Sequence, residues 1–297
     1  MTQSPSFGIL LALIGTLVLT PDALLMRLSG MDGYQMVGWR GGLMGLIFLL
    51  SWIILSRGRW ADIMRMATPF GLLIVVCQYF NASLFALGVS WAPAAIVLIG
   101  VATVPVFAAV FSWVLMGEKA GRLTWITIAV VLVGVMIAVL GGEAAHVSFD
   151  AKIIPGALAG LGVGAVLAMN FVVLRAHPYL PILLCIGVGA LMAGLTGVLV
   201  TGPEAMTDGT VWAIMLAGGF VLPFSFFSLS LASRYTAAAN VSLIMLLETV
   251  LGPLWVWWGV GEALNASMVI GGVIVVVSLA IYIVLTSRNG RQVKVEK

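Results

Sequence analysis

The sequence predicts an all-α membrane protein in which ten transmembrane helices form a 5+5 inverted-topology repeat. Three observations predict this fold. The chain of 297 residues is 62% hydrophobic and only 8% charged, which is too apolar for a water-soluble domain. It contains ten apolar runs, and a helix of roughly 20 apolar residues crosses about 30 Å of hydrocarbon. A segment of the first half also recurs in the second half.

The ten runs follow one another with short joins that leave no room for a soluble domain. Several joins carry Gly, Pro, Asp or Asn, which favour turns. The first run has no basic segment before it and no small-residue cleavage site, so we expect a retained helix rather than a signal peptide. The runs cover approximately residues 7–27, 36–56, 67–87, 92–116, 122–141, 153–175, 180–200, 211–232, 236–259 and 264–286.

The internal repeat pairs residues 94–137 with residues 238–281. Each copy consists of an apolar run, a Gly-Glu turn and a second apolar run. The most informative aligned residues are Trp113 with Trp257 and Gly117-Glu118 with Gly261-Glu262. We therefore expect two copies of one five-helix unit, at residues 1–145 and 146–297, the second ending in a short basic tail.

The distribution of basic residues predicts the orientation of the chain. Eleven of the 14 Lys and Arg residues fall on one side of the predicted membrane and three on the other, so we expect both termini in the cytoplasm. Because the unit has an odd number of helices, the second copy starts on the opposite side of the membrane and must be inverted. Its Gly-Glu turn is then external. Ala263 and Ala266 there replace Lys119 and Arg122 of the cytoplasmic turn, as the positive-inside rule favours.

These features resemble the drug/metabolite transporter superfamily, and within it the two-repeat EamA-like branch. The resemblance rests on the five-plus-five arrangement, the Gly-Glu turns after helices four and nine, Trp39-Arg40 in helix two and Leu247-Glu248 in helix nine. It covers essentially the whole chain and implies a transporter, but it says little about substrate. One departure is that Thr249 follows the glutamate where the family would have proline, and Pro253 lies a turn later.

Asp22 and Arg40 are candidate gate residues. At about 1.5 Å per residue they lie roughly 7 Å and 6 Å inside the outer ends of helices one and two. Charges inside a membrane usually face a cavity or each other, so the two can pair, either at an outer gate that contacts charged substrate or as a structural ion pair. Asn170 aligns with Asp22 in a second, weaker match between the halves. It is expected at an inner gate or in ordinary helix packing.

Glu248 is the deepest acid, roughly 18 Å from the inner end of helix nine by the same rise per residue. A protonatable carboxyl near the midplane is a candidate proton carrier for coupled transport. The alternative is a neutral or hydrogen-bonded glutamate that holds a helix bend.

Inverted repeats bind substrate near the midplane, where the halves meet. The candidate substrate-binding residues are Arg40, Gln78, Tyr79 and Asn81 from the first half and Phe224 and Ser225 from the second. Asn81 aligns with Ser225 at the offset of the main repeat, which makes helices three and eight equivalent pocket walls. Alternatively, the Asn and Ser side chains make only interhelical hydrogen bonds, each contributing about 1 kcal/mol.

Glu118 and Glu262 are predicted to be structural, since each follows a turn that closes a helical hairpin. His146 and His177 are isolated and have no metal-ligand spacing, and the sequence contains no nucleophile-base constellation and no glycine-rich phosphate loop. We therefore expect no metal, no cofactor, no catalytic residue and no nucleic-acid partner.

The sequence is thus interpreted as that of a secondary transporter that moves a small organic metabolite, such as an amino acid, a related zwitterion or a drug, and not as that of an enzyme. We expect export by alternating access, with H+ or another ion as coupling partner, by a monomer or homodimer in a bacterial inner membrane. An ion-coupled importer fits the same features. A polytopic enzyme acting on lipid is the alternative of another class, but it should have reactive residues clustered at the interface and longer loops.

Overall fold

The computed structural model describes residues 5–92, 94–140, 153–261 and 266–295, and their regular secondary structure is helical throughout. The predicted boundary between residues 145 and 146 lies outside these ranges. The α-helices are α1 (Pro5–Leu19), α2 (Asp22–Ser29), α3 (Gly33–Leu55), α4 (Arg59–Met66), α5 (Pro69–Trp91), α6 (Ala94–Val101), α7 (Val104–Met116), α8 (Arg122–Leu140), α9 (Ile153–Ala176), α10 (Ile182–Thr201), α11 (Val211–Leu216), α12 (Leu222–Ala232), α13 (Ala238–Met245), α14 (Leu247–Val260) and α15 (Ala266–Val295).

The ten predicted spans are confirmed, because ten helical segments of the described residues are long and apolar enough to cross a membrane. Spans 2, 3, 5, 6, 7 and 10 are α3, α5, α8, α9, α10 and α15. The other four are interrupted: span 1 is α1 with α2, span 4 is α6 with α7, and span 9 is α13 with α14. Span 8 is α11 and α12 joined by a π-helical segment, Ala217–Val221.

Spans 4 and 9 break at equivalent positions of the predicted repeat. Helix α6 ends at Val101 and α7 begins at Val104, whereas α13 ends at Met245 and α14 begins at Leu247. Val101 and Met245 are aligned with each other in the repeat. Both spans also end in a glycine with left-handed backbone, Gly117 at φ 69° and Gly261 at φ 79°. This correspondence supports the predicted duplication.

The break in span 9 has no proline at it. Thr249 donates its hydroxyl to the Leu246 carbonyl at 2.7 Å, and its backbone N–H bonds the same carbonyl at 3.1 Å. These i to i−3 bonds tighten the turn and interrupt the regular ladder. Pro253 lies inside α14 without ending it. The residue that replaces the expected proline therefore lies at the bend.

The spans pack in pairs that relate the two halves. Span 2 packs along span 7 and span 5 along span 10, while span 3 packs on span 6 and span 1 on span 8. If spans 1–5 are matched in order with spans 6–10, exchanging the halves turns the first pair into itself and the second pair into itself. The same exchange turns the third pair into the fourth. Two copies related by a two-fold axis would pack in this way, which supports the predicted 5+5 repeat.

Glycines allow the close approach of spans 2 and 7. A Cβ at Gly41 would lie 2.8 Å from the backbone N of Gly194, and a Cβ at Gly197 would lie 2.3 Å from the N of Gly38. Backbones this close have no room for larger side chains, and small residues at helix contacts are typical of membrane proteins. The contact holds span 2, and with it Arg40, in a fixed register.

Candidate functional site

A cavity lies between the spans, with about 600 Å³ of space that includes its opening to solvent. Helices of both predicted halves line it. Its polar lining residues are Asp22, Arg40, Gln78, Asn81 and Glu248, and its apolar lining includes Leu19, Met44, Phe85, Leu167, Leu222, Phe226 and Met245. Five of the residues predicted to serve in gating, coupling or substrate binding therefore lie around one space.

Asp22 and Arg40 form a buried, two-pronged ion pair. Arg40 Nη1 donates to Asp22 Oδ1 at 2.9 Å, and Nη2 lies 2.8 Å from Oδ2. The side chains are only 2% and 10% exposed, respectively. A guanidinium and a carboxylate in this paired geometry form one of the stronger polar contacts in proteins. The guanidinium also lies 5.5 Å from the centre of the Phe85 ring, so it is held from two sides.

The backbone explains why this pair can form inside the membrane. Span 1 is interrupted at Pro21, and Asp22 is the first residue of α2, where the helix dipole favours a negative charge. On the other side, a Cβ at Gly218 of the π-helical segment would lie 2.9 Å from Arg40 Cα. Span 8 therefore passes directly over the Arg40 backbone, which only glycine permits.

Glu248 occupies the first turn of α14, immediately after the break in span 9. Its side chain is partly exposed to the cavity. It lies close enough to Asp22 and Arg40 to interact with them electrostatically. Among the described residues none makes a hydrogen bond with its carboxyl group. Asp22 is already neutralised by Arg40, so Glu248 is the acid in the cavity that is available to a ligand or a proton.

Gln78 and Asn81 lie on one face of α5 and line the cavity. Asn170, predicted at an inner gate, lies behind this face on α9. Its Nδ2 donates to Gln78 Oε1 at 3.3 Å, and it is 2% exposed. Its Oδ1 has no hydrogen-bond partner among the described residues. Asn170 therefore packs behind the wall of the cavity and not at one of its ends.

Three predicted substrate-binding residues do not line the cavity. The Tyr79 hydroxyl lies 3.3 Å from Thr196 Oγ1 on span 7. Phe224 is 43% exposed, on the outer surface. Ser225 is fully buried where span 8 meets span 1, with a Cβ at Gly15 only 3.2 Å from its carbonyl oxygen. Neighbouring residues on a helix point about 100° apart, and the Tyr79 side chain points toward span 7 instead of the cavity.

Sequence reasoning missed Phe85 and Phe226, the aromatic residues of the cavity. Phe85 lies seven residues after Gln78, on the same helix face, and this spacing was available from the sequence. Phe226 faces the cavity two positions after the predicted Phe224. The sequence does not select between these phenylalanines, because both faces of span 8 are apolar.

Glu118 connects the two halves at their predicted cytoplasmic ends. Arg175, at the end of span 6, donates from Nε and Nη2 to its two carboxylate oxygens at 3.0 Å and 2.9 Å. Arg175 Nη1 also donates to the Thr236 carbonyl at 2.8 Å, just before span 9. The predicted hairpin role of Glu118 thus includes a cation from the other half. Glu262, its predicted counterpart, lies outside the described residues.

Comparison with known proteins matches residues 6–140 to the EamA-like transporter family. A solved structure titled "Crystal structure of protein" is similar in fold, with a TM-score of 0.76 and 17% sequence identity. The similarity covers 95% of this chain and 97% of that one. No curated protein matches the chain in sequence.

The family match covers the first predicted repeat, and the structural similarity extends across both. Members of the EamA-like family are membrane transporters, which agrees with the ten spans and with the resemblance found in the sequence. Residues 6–140 therefore match the EamA-like transporter family of the drug/metabolite transporter superfamily, and the chain is an integral multi-pass membrane protein.

Proposed function

We propose that the protein is a secondary active transporter that exports a small organic metabolite by alternating access to the central cavity. The observation that carries this proposal is the composition of the cavity. Both halves line it, one ion pair is buried in it, and one acid faces it without a hydrogen-bond partner among the described residues. Acidic and basic residues inside membrane spans are rare and mark substrate or ion pathways.

The substrate is proposed to be a zwitterion such as an amino acid. Glu248 can bind its ammonium group. Asp22 uses two of the five N–H donors of Arg40, so three remain for a substrate carboxylate. The amides of Gln78 and Asn81 supply further hydrogen bonds. A phosphorylated substrate would need more than the single cation that lines this space.

Coupling is proposed to occur at Glu248. A carboxyl without a fixed partner can exchange between a proton and the cationic group of a substrate, which would couple export to proton entry. Asp22 is less suited to this role because Arg40 holds both of its oxygens.

Alternating access is supported by contacts between the halves at both ends of the cavity. On the predicted cytoplasmic side, Arg175 joins Glu118. Toward the other side, Trp255 Nε1 donates to Thr20 Oγ1 at 2.9 Å. Each of these contacts must break in turn if the cavity opens to one side at a time.

Thermal stabilisation of the purified protein tests the substrate class. The panel contains amino acids, polyamines, cationic drugs and phosphorylated metabolites. A ligand of the native state stabilises it by RT ln(1 + [L]/Kd), which is about 2.7 kcal/mol at 100 times Kd. We expect concentration-dependent stabilisation by zwitterions. Stabilisation by sugar phosphates alone would contradict the proposed substrate.

Glu248→Gln tests the coupling in proteoliposomes, with a substrate identified by that panel. We expect export driven by a pH gradient to fall to the level of protein-free liposomes, whereas exchange of labelled for unlabelled substrate without a gradient persists. Glu204→Gln, which changes an exposed acid in the loop between spans 7 and 8, is the matched control. Unchanged gradient-driven flux in Glu248→Gln would exclude Glu248 as the carrier.

A further inference from the structure

The short helix α4 (Arg59–Met66) lies at the edge of the bilayer. Only three residues separate it from the end of span 2 at Leu55, and two separate it from the start of span 3 at Pro69. Three extended residues reach at most about 11 Å. The helix is therefore held at the membrane boundary, between two spans that end on the same side.

Hydrogen bonds fix the rotation of α4 about its axis. Asp62 Oδ2 accepts from Trp52 Nε1 at 3.1 Å and from Ser56 Oγ at 2.6 Å. Both donors belong to the end of span 2 or to the residue directly after it. Met66, also on the side facing the protein, packs against the hydrophobic core. The opposite side of α4 is therefore presented outward in a defined orientation.

The exposed surface of α4 and the residues beside it combines an apolar pair with arginines. Trp60 and Met64 are one turn apart and are 72% and 48% exposed. Arg57 is exposed and makes no hydrogen bond or ion pair with any described residue. Arg65 is half exposed, with a single contact of 3.3 Å to Asp62. Arg59 bonds the Ile53 carbonyl at 2.6 Å through one nitrogen, which leaves its other donors free.

We propose that α4 and the adjoining Arg57 form a binding site for anionic phospholipid headgroups. Trp60 and Met64 insert at the boundary between headgroups and acyl chains, while Arg57, Arg59 and Arg65 bind phosphate. An amphipathic helix with a tryptophan and basic residues suits this interface. Each Lys or Arg near an anionic membrane surface contributes about 1 kcal/mol to the attraction.

A lipid fits this surface better than a soluble anion does. Ile54 and Leu55, at the end of span 2, are 78% and 70% exposed. They continue the apolar surface of Trp60 and Met64 into the part of span 2 that faces the bilayer. A free phosphate would use the arginines alone and would gain nothing from this apolar surface.

Thermal unfolding of the purified full-length protein with dioctanoyl phosphatidylglycerol tests the proposal. The comparison ligands are dioctanoyl phosphatidylcholine and glycerol 3-phosphate. We expect phosphatidylglycerol to stabilise the protein most. We expect Arg57→Gln/Arg65→Gln to raise its Kd roughly tenfold or more, and Trp60→Ala to raise Kd for both lipids several-fold.

The matched controls are Arg122→Gln and Trp125→Ala, which remove an exposed arginine and a 43% exposed tryptophan from the start of α8. These controls should change Kd less than twofold. Equal stabilisation by the two lipids, or by glycerol 3-phosphate, would overturn the proposal. Equal losses in the α4 variants and the α8 controls would overturn it as well. Because no transported substrate enters the assay, the result is independent of the proposed function.

Discussion

Arg175 donates hydrogen bonds to both carboxylate oxygens of Glu118, at 3.0 Å and 2.9 Å, and so joins the end of span 6 to the end of span 4. The pair is only partly shielded from solvent, because the Arg175 side chain is 22% exposed and the Glu118 side chain 40%. It connects the two predicted halves on the side that the basic residues assign to the cytoplasm.

Loss of this contact is expected to favour opening of the cavity toward the cytoplasm. Partly exposed ion pairs contribute about 0.2–1 kcal/mol, so Glu118→Gln should increase cytoplasmic access roughly 1.4- to fivefold. The measurement is labelling of Met44→Cys, which lines the cavity, by an impermeant maleimide in inside-out vesicles. Cys77 and Cys185 are replaced by alanine in this background.

Arg175→Lys keeps the charge but loses the fork geometry, so its labelling should lie between wild type and Glu118→Gln. Glu204→Gln should leave labelling unchanged. Equal labelling in wild type and in Glu118→Gln would show that this pair does not hold the cavity closed.

The buried pair of Asp22 and Arg40 should behave as one unit in a double-mutant cycle. Removing one partner of a buried ion pair typically costs about 3–5 kcal/mol, because the other charge is left uncompensated. Asp22→Asn and Arg40→Gln should each destabilise the protein strongly, and the double variant by less than the sum. Unfolding in mixed micelles measures the three free energies. Strict additivity would contradict direct coupling.

Phe226→Ala and Phe224→Ala make a matched test of which face of span 8 binds substrate. Phe226 lines the cavity, whereas Phe224 is 43% exposed on the outer surface. Loss of an apolar contact with the substrate should raise KM by roughly ten- to a hundredfold in Phe226→Ala, while Phe224→Ala retains nearly the wild-type value. The measurement is initial transport rate against substrate concentration. A larger effect in Phe224→Ala would contradict the placement of the cavity.

Two neighbouring glycines test the close contact between spans 2 and 8. A Cβ at Gly218 would meet Arg40 Cα at 2.9 Å, whereas at Gly219 the nearest atom is the Ile47 side-chain terminus at 3.9 Å. Overpacking typically costs about 1–3 kcal/mol, so Gly218→Ala should lower the free energy of unfolding by about this amount. Gly219→Ala should be close to neutral. Similar unfolding free energies in the two variants would contradict this packing.

The sequence predicted the features that depend on composition and on alignment of the halves. Apolar length determined the ten spans, and the rarity of charge inside them singled out Asp22, Arg40 and Glu248. All three lie at the cavity, since a charge in the hydrocarbon layer has few other places to lie.

The faces of the helices could not be predicted in the same way. In a membrane, lipid is as apolar as the protein core, so hydrophobic periodicity does not separate inward from outward positions. Tyr79 and Phe224 were selected for depth and residue type, and both face away from the cavity. Helix α4 was also missed, because its eight residues resemble a polar join when judged by hydropathy alone.

The matched breaks of spans 4 and 9 have an energetic consequence. Val104 occupies in the first copy the position that Glu248 occupies in the second. If transport is coupled at this position, one copy can carry a proton and the other cannot, so each turnover moves at most one proton there. If one proton exchanges for one substrate molecule, a pH difference of one unit acting alone could then sustain only about a tenfold substrate gradient.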